Sequence, residues 1–165
     1  MQRMKKPVNQ NRHLESVEKN QTINFGPLPH YLGYQIRQAQ AAVFRDLMAS
    51  IADLKVTPGE YGLLTMLDVN PGISQVNLAA VYKLDKSTLS LAVGGLVKRG
   101  LVHRTRSRED ERYYALRLLP AGRLLLQRVR ERAEAQERTM DAVLHRGERR
   151  HLLDMLQRVS RALDR

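Results

Sequence analysis

Apolar residues recur every three or four positions along most of the chain, which is the spacing of one face of an α-helix. The first such stretch starts at Leu32 and continues to Leu54. It predicts a long amphipathic helix of about 25 residues. Gly26 and Pro27 separate this helix from residues 1–26, which are polar and show no comparable period. We therefore expect a flexible basic arm over residues 1–26, followed by a helix.

A second helix is predicted where the chain reaches Thr57. Thr57 and Glu60 stand three residues apart, which is the spacing of a capping box, and Pro58 occupies the first helical position between them. The helix is expected to end near Asn70, because Pro71 and the glycine after it are typical of a helix stop.

Two further capped helices follow within a short distance. Ser74 is placed to cap a short helix that extends to about Tyr82. Asp85 is placed to cap a helix over residues 86–99, which Gly100 ends as a typical C′ residue. The apolar residues expected to face inward on the helix over residues 86–99 are Leu89, Val93 and Leu96.

The last part of the chain predicts a hairpin and two more helices. Residues 101–106 and 112–118 alternate partly between apolar and polar positions and are joined by a charged turn, which is typical of a β-hairpin. Pro120 opens a helix to about Leu144, and a last amphipathic helix covers residues 148–163. The predicted fold is therefore mainly α with a small β-hairpin.

The chain is strongly basic. Its 165 residues include 28 Lys and Arg against 17 Asp and Glu, a formal net charge of +11. This charge makes a polyanion the expected partner. The chain has no Cys, which excludes disulfides, Cys-ligated zinc and thiol-based redox sensing. It shows neither the ~18 apolar residues of a membrane span nor a secretory signal, so we expect a soluble cytoplasmic protein without membrane contact.

The positive charge is concentrated around the fourth predicted helix and the hairpin. Residues 83–108 hold seven Lys or Arg and one acidic residue. Two short helices, a capped helix and a basic hairpin are the parts of a winged helix-turn-helix. In this motif the capped helix, here residues 86–99, fits the major groove of DNA. The hydroxyl groups of Ser87, Thr88 and Ser90 can bond either bases or phosphates, and the ammonium groups of Lys83 and Lys86 suit the DNA backbone. Candidate DNA contacts in this segment are Lys83, Lys86, Ser87, Thr88, Ser90, Arg104, Arg106 and Arg108.

Several short motifs lie in a fixed order within residues 32–128. They are Leu78-Ala79, Asp85-Lys86-Ser87-Thr88-Leu89-Ser90, Leu96-Val97-Lys98-Arg99-Gly100-Leu101-Val102-x-Arg104, Asp110-x-Arg112 and Leu118-x-x-x-Gly122. Each motif alone is weak, but the ordered set resembles the MarR (multiple antibiotic resistance regulator) family of transcription factors.

The resemblance implies a homodimer that binds a pseudo-palindromic operator in double-stranded DNA as a repressor and is released by a small ligand. It implies a winged helix-turn-helix lobe over residues 57–119, with dimerisation helices over residues 27–56 and 120–165. The tip of the wing is implied to lie in the minor groove, where an inserted Arg meets enhanced negative potential. The arginines that the resemblance places at DNA are Arg106, Arg108 and Arg112.

Three places depart from the family pattern. Leu91 stands where many members have Arg or Lys, so the resemblance does not give the operator sequence. Gly94 and Gly95 stand in the recognition helix, where each costs roughly 1 kcal/mol relative to Ala, either for close packing or because they are tolerated. Leu119 stands where the family has a capping Thr, which leaves Pro120 to start its helix without a side-chain cap.

A small-molecule effector is a further expectation. The stretch Leu32-Gly33-Tyr34-x-Ile36-Arg37-x-Ala39 is similar to MarR members that regulate the breakdown of aromatic acids. The resemblance implies an aromatic acid or its coenzyme A thioester as the ligand, which cations and aromatic rings would hold. The alternative is that these tyrosines belong to the core and these arginines to a solvated face. The candidates are His30, Tyr31, Tyr34, Arg37, Arg45 and Tyr61.

Two other classes of function are alternatives to the repressor. A ligand-independent architectural protein would bind DNA through charge alone. An enzyme is disfavoured, because the five histidines form no HExxH pair and no GxxxxGK or GxGxxG loop occurs. We therefore expect neither catalysis nor a cofactor nor a metal site.

Overall fold

The computed structural model describes residues 23–82, 85–106 and 114–164. The chain divides into two units, residues 1–39 and residues 40–165. The predicted basic arm, residues 1–26, lies outside the described residues except for residues 23–26. Within the described residues, the fold is mainly α with one β-hairpin, as the sequence predicts.

The first unit contains the segment that leads into the first long helix. Residues Leu28–His30 form a 3-10 helix, and Tyr31 connects it in an extended conformation to helix α1, Leu32–Ser50. The rings of Phe25 and Tyr34 lie 6.3 Å apart between centroids. This aromatic pair packs the segment against the first turn of α1.

Helix α1 is shorter than the sequence predicts. It ends at Ser50, and Ala52–Leu54 form a separate 3-10 turn that Lys55 closes in the left-handed conformation. The predicted helix of about 25 residues is therefore wrong in its last turn. The Ser50 carbonyl accepts a hydrogen bond from the guanidinium of Arg132, which also bonds to Asp53 at 3.1 Å. The guanidinium of Arg132 thus donates to the Ser50 carbonyl, which the backbone N–H of a further helical turn would otherwise do.

The second unit holds a helix-turn-helix whose starts lie where the sequence predicts them. Its helices are α2, Pro58–Val69, α3, Gln75–Tyr82, and α4, Lys86–Lys98. The predicted capping box is present, because Glu60 N donates to Thr57 Oγ1 at 3.1 Å and Thr57 N donates to Glu60 Oε2 at 2.9 Å. Asn77 N donates to Ser74 Oγ at 3.1 Å, which confirms the cap of α3. Gly100 follows α4 with a φ of 67°, as expected for a C′ glycine.

The predicted hairpin is an antiparallel pair of strands, β1, Val102–Arg106, and β2, Tyr114–Leu118. The other edge of β2 meets the segment before α3. Gly72 N donates to Leu116 O at 2.9 Å, and Leu116 N donates to Ile73 O at 3.0 Å. The sequence does not predict this contact, because the segment is too short to show an alternating pattern.

The core of the second unit joins the helix-turn-helix to the hairpin and to helix α5, Pro120–Asp141. The side chains with no exposed surface include those of Leu64, Leu78, Leu89, Leu96 and Leu116. Gly122 lies in the first turn of α5, where an added Cβ would stand 2.2 Å from the carbonyl oxygen of Leu101. Only a glycine permits α5 to approach the hairpin this closely.

The two terminal helices differ in how they are buried. Helix α5 places Leu126, Val129 and Ala133 in the core. It ends at Asp141, one turn before the predicted end near Leu144, because Leu144 N donates to Asp141 O at 3.1 Å in a tight turn. Helix α6 covers Glu148–Leu163, as predicted, and has no buried residue.

Candidate nucleic-acid interface

Helix α4 has a buried apolar face and an exposed polar face. The predicted inward residues have no exposed surface and are Leu89, Val93 and Leu96. The exposed residues in its first two turns are Lys86, Ser87, Thr88, Ser90 and Leu91. The core therefore holds the helix so that its hydroxyl groups and a cation face outward. Leu91 is 79% exposed, so this face also has an apolar position next to its hydroxyl groups.

Asp85 is the N-cap of α4 and binds both hydroxyl groups of the first turn. Ser87 Oγ donates to Asp85 Oδ1, and Thr88 Oγ1 donates to Asp85 Oδ2 at 2.6 Å. Thr88 N also donates to Asp85 Oδ1 at 2.8 Å. The hydrogen bonds from Ser87 and then from Thr88 hold the pKa of the Asp85 carboxyl well below its usual range. The carboxylate therefore stays charged at neutral pH.

Strand β1 carries two exposed arginines, Arg104 and Arg106, on the same face of the hairpin. The Arg104 guanidinium lies 4.7 Å from the centre of the Tyr114 ring, which fits a cation–π contact. Tyr114 is the register partner of Arg106. The aromatic ring therefore stiffens a basic strand next to the wing tip.

The predicted DNA residues fall into two groups where the structure describes them. Lys86, Ser87, Thr88 and Ser90 lie at the start of α4, and Arg104 and Arg106 lie on β1. The structure brings two of them, Ser87 and Thr88, together on one carboxylate. The remaining candidates lie outside the described residues and are Lys83, Arg108 and Arg112.

The sequence missed the contact that ties the end of α4 to the start of α2. Arg99 Nη1 donates to Glu60 Oε1 at 2.9 Å, and Arg99 Nη2 donates to the carbonyl of Lys55 at 2.7 Å. Arg99 is the C-cap residue of α4, and Glu60 belongs to the capping box of α2. Arg99, one of the cations of residues 83–108, thus helps to orient α4. The only local signal was the capping box itself.

Gly62, Gly94 and Gly95 of the helix-turn-helix have different surroundings. A Cβ added at Gly62 would overlap the hydroxyl of Tyr82, at 1.6 Å, so this glycine lets the last residue of α3 cross α2. Burial raises the pKa of the Tyr82 phenol. Nothing described lies within 4 Å of a Cβ added at Gly94 or Gly95. Close packing within the described residues therefore does not explain this glycine pair.

The candidate effector residues belong to both units. In the first unit, His30 ends the 3-10 helix, Tyr31 is exposed, and the Tyr34 hydroxyl accepts a hydrogen bond from Gln38 Nε2 at 2.8 Å. Arg37 is exposed on α1. In the second unit, Arg45 is exposed on α1, and Tyr61 packs against the hydrophobic core. Tyr61 therefore fits the alternative core interpretation of these residues.

A separate cavity of about 320 Å³ lies where the end of α2, the base of the hairpin and the start of α5 meet. Its basic side chains are those of His103, Arg117 and Arg123, and its one carboxylate comes from Asp68. Asp68 also pairs with Arg130 at 3.4 Å. None of the predicted effector residues lines this cavity.

Neither a cluster of metal-binding side chains nor a membrane-spanning helix is present among the described residues. These residues contain no group of three or more His, Cys, Asp or Glu that could hold a metal ion. No helix among them has the length and apolar character needed to cross a membrane.

Comparison with known proteins identifies the class. The packed helix-turn-helix and its hairpin define a winged helix-turn-helix transcriptional regulator. Residues 56–114 match the model of the MarR family. A proposed transcriptional regulatory protein for the hcr operon of Thauera aromatica is 35% identical over 137 residues, which cover 82% of this chain and 82% of the relative. The chain belongs to the MarR family.

Solved structures of regulators share this fold. The repressor CouR bound to a 23-mer DNA duplex is 32% identical, with a TM-score of 0.78, over 84% of this chain and 98% of that chain. CouR bound to p-coumaroyl-CoA is 31% identical, with a TM-score of 0.77 and the same coverage. PcaV from Streptomyces coelicolor, in complex with its natural ligand, is 26% identical, with a TM-score of 0.75, over 86% of this chain and all of that chain.

Proposed function

We propose that the protein is a homodimeric, sequence-specific repressor that a small-molecule effector releases from a pseudo-palindromic operator. The observation that carries the proposal is the exposed start of α4, which combines Lys86 with three hydroxyl residues on a helix fixed by the core. A helix of this kind reads base edges in the major groove with its first turns. The 32% identity to CouR, solved with a DNA duplex, supports the same use of the helix here.

The wing is proposed to contact the minor groove. Arg106 lies at the end of β1, next to residues 107–113 at the predicted tip. Arg108 and Arg112 are proposed to act with it. A narrow minor groove has an enhanced negative potential that attracts inserted arginines. The +11 charge of the chain supports this interaction by releasing counterions from DNA.

A second copy of the chain is proposed to cover α6. This helix buries none of its residues, yet it exposes a set of large apolar side chains, Leu152, Leu153, Met155, Leu156 and Leu163. Most soluble oligomers are two-fold symmetric dimers. A dimer built through residues 27–56 and 120–165 would place two recognition helices about one DNA turn apart.

The effector is proposed to be an aromatic acid or its coenzyme A thioester. The 31% identity to CouR, solved with p-coumaroyl-CoA, supports this class of ligand. The rings of Tyr31 and Tyr34 suit an aromatic group, and the guanidinium groups of Arg37 and Arg45 suit a carboxylate or phosphates. His30 completes the proposed set, whereas Tyr61 packs against the hydrophobic core and is not proposed as a contact.

The experiment that tests the repressor proposal compares specific with random DNA. Fluorescence anisotropy measures binding to the promoter beside the gene and to a shuffled duplex of the same length at physiological salt. A repressor binds the promoter at least about 10³-fold more tightly. Equal binding would favour the architectural alternative, in which charge alone gives the affinity.

The effector is tested on the same complex. p-Coumaroyl-CoA, free p-coumarate and coenzyme A are titrated into the promoter complex. Release by p-coumaroyl-CoA or by p-coumarate, but not by coenzyme A alone, supports the proposed ligand class. No release by either aromatic compound, together with no calorimetric binding, contradicts it.

A further inference from the structure

The start of α4 has an arrangement of hydrogen bonds that limits how its hydroxyl groups can meet DNA. We infer that Asp85 makes Ser87 and Thr88 acceptors only, so that they bind exposed amino groups of adenine or cytosine instead of phosphates. This inference rests on the proposed docking of α4 in the major groove. It makes Asp85 a residue that determines specificity through its two neighbours.

A hydroxyl group has one proton to donate and two lone pairs that accept. Ser87 Oγ gives its proton to Asp85 Oδ1, and Thr88 Oγ1 gives its proton to Asp85 Oδ2 at 2.6 Å. Both protons are therefore in use before DNA arrives. Each hydroxyl group therefore has only its lone pairs left and can only accept further hydrogen bonds.

The arrangement is held more firmly than two ordinary surface hydrogen bonds. Asp85 Oδ1 also accepts from the backbone N–H of Thr88 at 2.8 Å, so the carboxylate is fixed to the helix that carries both hydroxyl groups. Hydrogen bonds to an ionised acceptor are stronger than those between neutral groups. The positive end of the helix dipole stabilises the same charge. Release of either hydroxyl proton to another acceptor would leave this carboxylate less well satisfied.

The consequence follows from the chemistry of DNA. Phosphate oxygens only accept hydrogen bonds, so they cannot bond to a hydroxyl group whose proton is already used. The charge of Asp85 also repels them. In the major groove, the base groups that donate are the N6 amino group of adenine and the N4 amino group of cytosine. Ser87 and Thr88 are exposed and can accept from these groups.

Ser90 provides an internal contrast one turn further along α4. It is also exposed, and no hydrogen bond of its side chain is present among the described residues. Its hydroxyl proton is free to rotate toward a phosphate. Lys86 likewise donates only and suits a phosphate. The same helix thus carries donors for the backbone and acceptors for the bases.

The test removes single amino groups from the DNA. An operator is first selected from a random duplex library with the full-length protein. Each adenine is then replaced in turn by purine, which lacks the N6 amino group, and each cytosine by pyrimidin-2-one, which lacks the N4 amino group. For the parent protein we expect binding to weaken about tenfold at one or two positions in each half-site.

The variants assign the effect to the proposed residues. A protein with both Ser87→Ala and Thr88→Ala should bind the intact and the amino-deleted operator with equal affinity at those positions. Ser90→Ala, the matched control, should bind all duplexes more weakly but keep the tenfold difference. Circular dichroism melting verifies that each variant is folded before binding is compared.

Asp85→Asn tests the role of the carboxylate itself. Asn retains one acceptor oxygen for the helix cap, but its amide NH2 donates, so one hydroxyl proton is released. We expect Asp85→Asn to bind random DNA more tightly and to lose about tenfold of the preference for the operator. An unchanged preference would overturn the inference.

The outcomes separate the inference from the proposed function. Selection that yields no preferred sequence contradicts the repressor proposal itself. A preferred operator whose amino groups can all be removed without effect overturns only the inference. A preferred operator whose amino-group dependence disappears with the Ser87→Ala and Thr88→Ala changes supports both.

Discussion

The helix-turn-helix lobe and helix α6 carry similar apolar stripes but bury them very differently. Leu78 and Leu89 of the lobe have no exposed surface. Leu152 and Leu156 lie one helical turn apart on the apolar face of α6, yet they are 41% and 40% exposed. The lobe therefore satisfies its apolar residues within one chain, whereas α6 leaves them available for another surface.

A helical pattern in the sequence thus shows which face is apolar but not what covers that face. The lobe has neighbouring helices, a hairpin and α5 to complete its core. Helix α6 is the last element, and its amphipathic face has no such layer among the described residues. We therefore expect changes in the lobe to affect folding of one chain, and changes in α6 to affect assembly of two.

The largest effect is expected in the lobe core. Leu78→Ala should lower the free energy of unfolding by about 2–5 kcal/mol, because it leaves a cavity among side chains that cannot collapse fully. Chemical denaturation measures the change. Leu91→Ala is the control, and since Leu91 is 79% exposed, it should stay within about 0.5 kcal/mol. Equal effects of the two variants would contradict the assigned core.

The next effect is expected in assembly. A chain with both Leu152→Glu and Leu156→Glu should become monomeric and bind the operator at least about 100-fold more weakly, because unpaired charges would be buried in the proposed interface. Analytical ultracentrifugation and anisotropy measure the two results. Ser160→Ala on the same helix should remain dimeric. A double variant that sediments like the parent would show that α6 is not the interface.

A smaller effect is expected at the capping box. Thr57→Ala removes the side chain that accepts from Glu60 N, and it should cost about 1 kcal/mol of stability. Assembly should be unchanged, because the cap belongs to the lobe. Thermal denaturation measures the loss, with Thr139→Ala in α5 as the control. A change in sedimentation with Thr57→Ala would contradict the separation between lobe folding and assembly.

The smallest effect concerns DNA alone. Lys86→Ala should weaken binding to all sequences alike and lower the slope of log K against log salt by about one unit. Stability and assembly should not change. Arg150→Ala, an exposed cation of α6, serves as the control and should leave the slope as it is. No change with Lys86→Ala at any salt concentration would mean that α4 is oriented differently.

The sequence predicted well those elements whose ends are set by residues close together in the chain. Thr57 and Glu60 are three residues apart, and their capping box is formed as expected. The end of α1 was predicted wrongly, because the Ser50 carbonyl bonds to Arg132, 82 positions further along. The link between Arg99 and Glu60 spans 39 positions and has no local pattern either.

At the candidate site, the sequence predicted where the hydroxyl residues lie but not what their protons bond to. The sequence identified Ser87, Thr88 and Ser90 as exposed hydroxyl residues at the start of α4, and the structure places them there. Residue types alone left open whether each hydroxyl group meets a base or a phosphate. For Ser87 and Thr88 that choice depends on the direction of the hydroxyl proton, and both protons are donated to the Asp85 carboxylate.

The contact at Gly122 has a mechanical consequence. Its Cα faces the Leu101 carbonyl with no side chain in between, and Leu119 N donates to the same carbonyl at 2.9 Å. Side chains normally absorb small shifts by changing rotamer, but here backbone meets backbone directly. Helix α5 has 22 residues and is about 33 Å long. We therefore expect that a tilt of the far end of α5 would displace the start of β1 as well.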